Sequence, residues 1–102
     1  MKDEQIHVYL KSRCLGKKNA IKGARLAQII HTGEKEIQKA VARLRRKGIP
    51  IASGSEGYYY AATAGEVYTT IRQLREMEKG LQLSISGLEG ALERFGERGD
   101  PT

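Results

Sequence analysis

The sequence predicts a mainly α-helical α+β fold, with three short helices and a β-hairpin followed by one long helix. Three observations predict it. Apolar residues recur at helical spacing in three separate stretches before residue 48. A Gly- and Ser-rich turn then separates two short runs of strand-forming residues. Beyond residue 63 the apolar steps alternate between four and three, the heptad pattern of a helix with a seam.

The first helix is read from Ile6, Tyr9, Leu10 and Cys14, which fall on one helical face. Asp3 is placed to cap its start and Gly16 to stop it. Cys14 lies on the apolar stripe, which makes it a small core residue rather than a reactive thiol. A loop over Gly16–Asn19 leads to a second helix from about Gly23 to Ile30, with Leu26, Ala27, Ile29 and Ile30 apolar. Ile21 and Leu26 can form a hydrophobic staple around Lys22, although lysine offers no acceptor as a cap.

His31-Thr32-Gly33 breaks the chain before a third helix over Glu34–Lys47. Ile37, Ala40, Val41 and Leu44 make its apolar stripe. Glu34 and Glu36 open it and Arg45, Arg46 and Lys47 close it, which suits the helix dipole at both ends. Gly48 is a favourable C′ residue, and Pro50 keeps the helix from resuming. The hairpin follows, with Ile49–Ala52 and Tyr58–Ala61 as strands and Ser53–Gly57 as the turn. Alternation puts Tyr58 and Tyr60 on one face and Tyr59 on the other. The expectation is that one face packs on the helices while Tyr59 stays half exposed.

Thr63-Ala64-Gly65-Glu66 is a capping box for the last helix. In heptad terms Val67, Leu74, Leu81, Leu88 and Phe95 take d, and Ile71, Ile85 and Leu92 take a, with Glu78 interrupting. Gly80 and Gly87 fall at c and Gly90 at f, away from the seam. Each lowers helix stability by roughly 1 kcal/mol relative to Ala, so a kink or break near Gly80 is consistent with the pattern. The expected organisation is a domain over 1–63, a helix over 64–96 and a disordered tail over 97–102. In one division of the seam, Val67, Ile71 and Leu74 close the domain while Leu81, Ile85, Leu88, Leu92 and Phe95 meet another chain. In another, the helix folds back at Gly80 within one chain.

Composition narrows the function classes. The chain carries 18 Lys and Arg against 12 Asp and Glu, unevenly spread. Residues 1–50 have a net charge of +9 and residues 51–102 a net charge of −3, which suggests one surface for a polyanion and another for a different contact. Charge blocks of this kind also occur as plain solubilising helix faces. A single cysteine excludes an intramolecular disulfide. No apolar run approaches the length of a membrane span, and the first residues lack the apolar core of a signal peptide. A cytoplasmic location is the expectation. His7, His31 and Cys14 match no zinc spacing, with His7 expected to be exposed and His31 to be a turn residue. No nucleophile–base arrangement, phosphate loop or apolar carboxylate pair is present. The reading is therefore of a non-enzyme without metal, cofactor or evident small-molecule substrate.

Residues 21–62 resemble winged helix-turn-helix domains. They are similar to the DNA-binding domain of biotin repressors, and more closely to small winged-helix proteins of phages and prophages of Gram-positive bacteria. Leu44, Arg45, Gly48, Pro50, Ile51, Ser53, Gly57, Tyr58 and Tyr59 carry the likeness. The chain departs from the pattern at His31, Thr32 and Gly33, where such turns commonly hold Gly, an apolar residue and Ser or Thr. It departs again at Lys22, where a capping acceptor is common. The resemblance implies a double-stranded DNA partner, with helix 34–47 in the major groove and the hairpin as the wing. It implies base contacts from Lys35, Gln38 and Lys39. Phosphate contacts would come from Lys22, Arg25, Arg43, Arg46 and Lys47, and from Ser53 and Ser55 in the wing. A phage or prophage transcription regulator, dimeric through the C-terminal helix, is the function implied. An adaptor in a phage replication or packaging assembly, using the winged fold as a scaffold, is the alternative. Glu34, Glu36 and Glu56 favour that alternative, because they oppose phosphate approach.

Overall fold

The computed structural model describes residues 2–95. Helix α1 spans Lys2–Arg13, α2 Gly23–Ile30, α3 Glu34–Arg46 and α4 Ala64–Leu92. Strands β1 (Ile51–Gly54) and β2 (Gly57–Tyr60) form an antiparallel hairpin between α3 and α4. Short 3₁₀ turns cover Lys17–Asn19 and Glu93–Phe95. The chain divides into a compact unit over residues 1–70 and a second over 71–102. The first unit thus reaches past the expected boundary at 63 and takes in the first turns of α4. The predicted disordered tail, 97–102, lies outside the described residues.

The core of the first unit joins all three short helices to the hairpin. Ile6, Leu10, Leu26, Ile37 and Val41 are the large side chains most completely enclosed. Ile51, Ala52 and Tyr59 extend the same cluster into the hairpin. Cys14 is buried among them, and burial raises its thiol pKa, as an inert core cysteine requires.

Helix ends follow local chemistry. At the end of α3, Gly48 (φ +88°) lets its own N–H reach Arg45 O at 2.9 Å and the Ile49 N–H reach Leu44 O at 3.1 Å. That is the Schellman pattern. Helix α2 ends in the same pattern without glycine. His31 takes the left-handed conformation (φ 63°), and the Thr32 N–H donates to Ala27 O at 2.9 Å. Histidine tolerates positive φ better than a branched residue does, so the turn keeps its geometry despite the unusual sequence. Asp3 is no cap. It lies inside the first turn of α1, with its carboxylate turned to Arg43.

The hairpin differs most from expectation. Tyr59 is buried, and Tyr58 and Tyr60 are half-buried. The hairpin is covered on both faces, which breaks the in–out alternation assumed for a single packed face. Tyr60 stacks flat on His7 of α1, with ring centroids 6.0 Å apart. His7 is accordingly half-buried rather than exposed, with Nε2 enclosed and without a partner among the described residues. Tyr59 stands opposite Ala52, whose small side chain leaves room for the ring. At the other end of β1, the Ser53 N–H donates to Thr70 Oγ1 of α4 at 3.2 Å.

Strand β2 is also bonded along its outer edge. Ile21 and Tyr58 exchange both backbone bonds at 2.8 Å. The Tyr60 N–H donates to Cys14 O, and the Gly16 N–H to Tyr60 O, both at 2.8 Å. The segment read as a simple loop therefore touches the outer edge of β2 at two isolated bridges, Leu15 to Tyr60 and Ile21 to Tyr58, without forming a strand of its own. Gly57 (φ +115°) makes this approach possible, because a β-carbon there would collide with the Ile21 carbonyl.

Glu66 fastens the same segment to α4. Its N–H donates to Thr63 Oγ1 at 3.2 Å, as the capping box predicts. Its carboxylate accepts from the N–H groups of Ala62 at 2.7 Å and Lys17 at 3.0 Å. These bonds, Ala62 first, hold its pKa below the usual carboxylate range.

Helix α4 runs unbroken from Ala64 to Leu92, through Gly80, Gly87 and Gly90. The fold-back at Gly80 and the break there are both overturned. Helix-favouring Leu81, Gln82, Leu83, Leu88 and Glu89 between the glycines carry it, and no proline interrupts. Val67 and Ile71 are half-buried, whereas Leu74, expected to cover the domain, is exposed.

Two outcomes are expected. Gly57→Ala combines positive φ with the Ile21 collision and lowers stability by about 2 kcal/mol or more in urea denaturation. Acid titration tests Glu66. Folding favours its ionised form, so the contribution is full above the ordinary carboxylate pKa of about 4.3 and is lost as pH falls through the lowered folded value. Glu66→Gln flattens the loss of thermal stability below that pH, measured by circular dichroism at stepped pH.

Candidate nucleic-acid interface

Helix α3 turns Ile37, Ala40, Val41 and Leu44 inward. At about 100° per residue the opposite face carries Lys35, Gln38, Lys39, Ala42 and Arg46. Lys35, Gln38, Lys39 and Arg46 are exposed, and Ala42 lies half-buried at their centre. A small residue there leaves the middle of the face low, with long polar side chains around it. Among the described residues Lys35, Gln38 and Arg46 form no side-chain hydrogen bond or ion pair. Lys39 is only 3.8 Å from Glu36, in an exposed i, i+3 pair worth little in water.

The flanks of α3 are committed to the fold. Arg43, expected at a phosphate, donates from Nε and Nη2 to the Asp3 carboxylate at 2.8 and 2.9 Å. The paired hydrogen bonds lower the Asp3 pKa and raise that of Arg43. Its charge is neutralised by this fork-like contact, which removes Arg43 from the free cationic face. Arg45, on the opposite flank, donates from Nε to Ile51 O at 2.7 Å and from Nη2 to Ser53 Oγ at 3.1 Å. Burial lowers its pKa, yet a guanidinium keeps its charge at neutral pH. Arg45 thereby sets the angle between α3 and the hairpin.

The remaining predicted residues separate into two places. Lys22, Ser53 and Ser55 share a shallow groove with Gly23, Glu34 and Tyr58, between the start of α2 and the hairpin turn. Lys22 Nζ donates to Ser55 O at 2.8 Å and so ties the turn to α2. Ser53 faces inward, its hydroxyl oxygen accepting from Arg45. Ser55 is exposed beside Glu56. Arg25 and Lys47 are exposed at the edges, with Arg25 Nη1 3.3 Å from Gln28 Oε1. The expected site thus resolves into an α3 face (Lys35, Gln38, Lys39, Arg46), a braced hairpin turn (Lys22, Ser53, Ser55) and peripheral cations.

Sequence reasoning gave Asp3 a capping role and Arg45 a part in the helix dipole, and neither a bond to another element. A signal for Arg45 existed. It falls about 80° off the centre of the polar face, where a long side chain meets the next element rather than solvent.

The other predicted site is the seam of α4. Leu81, Ile85, Leu88, Leu92 and Phe95 are exposed by 41 to 73%. Among the described residues no His, Cys, Asp and Glu cluster could hold a metal ion, and no helix is long and apolar enough to cross a membrane. Comparison with protein-family models, curated proteins and solved structures finds no match to this chain.

Replacing Arg45 by Met keeps the stem and removes both bonds to the hairpin. The expected loss is about 2 kcal/mol in urea denaturation, the scale of hydrogen bonds from a charged donor. An unchanged midpoint would show that the hairpin is held without it.

Proposed function

We propose that this chain is a winged helix-turn-helix protein that binds double-stranded DNA with α3 in the major groove. The exposed face of Lys35, Gln38, Lys39 and Arg46 carries this reading. Its setting supports it: α2 and α3 joined by a three-residue turn, then a hairpin whose strand β2 pairs on both edges. In the proposed mode Gln38 reads an adenine edge through its amide, and Lys35 and Lys39 reach guanine acceptors. Arg46 and Lys47 contact phosphates further along the groove wall. Lys22 and the exposed Ser55 place the wing turn against the backbone. The turn adds little attraction, because Glu56 is its only charged residue.

The chain acts as a dimer paired through α4, which doubles the phosphate contacts. The biological role proposed is that of a phage or prophage transcription regulator in the bacterial cytoplasm. An adaptor role is favoured by a different observation, the acidic residues Glu34, Glu36 and Glu56 around the cationic face.

Fluorescence anisotropy against mixed-sequence duplexes at 50 and 200 mM salt tests the choice. Six phosphate contacts shared by a dimer predict an affinity loss of about a thousandfold over that range. Lys35→Ala/Lys39→Ala/Arg46→Ala loses binding at both salts while keeping its thermal midpoint. Absence of binding at 50 mM salt overturns the DNA reading and leaves the adaptor.

A further inference from the structure

We propose that two copies of α4 pair antiparallel in one register, with Leu74 level with Leu92 of the second copy and Glu78 level with its Leu88. The inference deepens the dimer reading above and rests on it. Holes for such packing are present on the single helix. Leu88, Ala91, Leu92 and Phe95 stand at i, i+3, i+4 and i+7 and line a shallow apolar groove. This four-residue spacing is that of a hole that receives one knob from a facing helix. In the proposed register the knob is Leu74, itself exposed. The same register sets Leu81 against Ile85 in both directions, so every layer from Ile71 to Phe95 joins an a residue to a d residue.

Charge selects this polarity over the parallel one. A parallel pair stacks Glu78 on Glu78 at an a layer, two carboxylates inside the seam, which is unfavourable. Its flanking g-to-e contacts are Thr70–Arg75, Met77–Gln82 and Ser84–Glu89, with no opposite charges. The antiparallel pair sets each Glu78 against a leucine instead. It also puts Arg75 of each copy on the same edge as Glu89 of the other, about 3 Å off level along the axis, giving two opposite-charge contacts along the e edges. Met77, exposed at g, then covers Ala91 of the second copy.

Cysteine cross-linking in a Cys14→Ala background tests the register. Glu78→Cys and Leu88→Cys are made singly, oxidised alone and then as a mixture after subunit exchange. The antiparallel register forms a disulfide only in the mixture. Identical residues at 88 lie about 15 Å apart along its axis, beyond disulfide reach. A nitroxide on Glu93→Cys gives a second readout, with spins separated by about 30 Å along the axis instead of lying side by side. Self-cross-linking of both single variants, or closely spaced spins, overturns the register while leaving the dimer. A monomer in sedimentation of the unmodified chain overturns both register and dimer; it halves the phosphate contacts and so the expected salt slope, but leaves DNA binding itself to be decided by the titration at 50 mM salt.

Discussion

Strand β2 is hydrogen-bonded along both of its edges, and the arrangement of the first unit depends on it. On one side Gly57–Tyr60 pairs with β1. On the other it takes up the backbone of Cys14, Gly16 and Ile21. The chain leaving α1 is thereby fixed before α2 begins, and the chain leaving α3 is fixed after it ends. Neither edge remains as an open template for another chain, a hazard that short hairpins otherwise carry. The close approach at Ile21 admits only hydrogen at Cα of residue 57. The close pairing of β2 with the segment that enters α2 thus rests on one missing side chain.

Much of this was legible in the sequence where chemistry is local. Helical spacing located α1, α2 and α3, Gly48 marked the end of α3, and Thr63 with Glu66 marked the start of α4. What was not legible required knowledge of both neighbours of an element. Tyr59 reads as half exposed if a hairpin has one covered face; here His7 covers Tyr60 while Thr70 bonds the end of β1. Leu15 and Ile21 sit in a stretch of Gly, Lys and Asn that carries no strand pattern, because only two isolated bridges form there. For the candidate site, residue type and helical angle identified the face of α3. They did not show which arginines the fold itself consumes.

That partition of arginines follows from geometry. Four of the five residues of the 43–47 segment, all but Leu44, are cationic, and they point in different directions. Arg43 leans to α1, where an early aspartate meets it; Arg45 leans to the hairpin, where two acceptors meet it. Arg46, between them, faces solvent together with Lys35 and Lys39. Bracing both flanks limits the rotamers and the tilt of α3, so the outward face is presented by a rigid element. Pre-ordering of this kind reduces the entropy lost when a surface meets its ligand. The same bonds that remove two cations from the face therefore hold the remaining ones in position.

Helix α4 poses the complementary problem, an element ordered beyond what its own unit covers. A helix of 29 residues with three interior glycines gives up roughly 3 kcal/mol of propensity relative to alanine. The glycines do not fall at random. All three lie at c or f, so the loss is taken on the outer side while a and d from Val67 to Phe95 keep Val, Leu, Ile and Phe except at Glu78. A helix needing only to be soluble would place polar residues at the seam and alanine outside it. This one does the reverse, keeping bulk where a facing helix would pack and accepting weakness where none would. Glu78 then gains a meaning that a purely stabilising seam would not supply. In the proposed pairing of α4, one charge at an a position would cost affinity in either polarity, but most where it faced its own copy, and so would discriminate between polarities at the expense of strength.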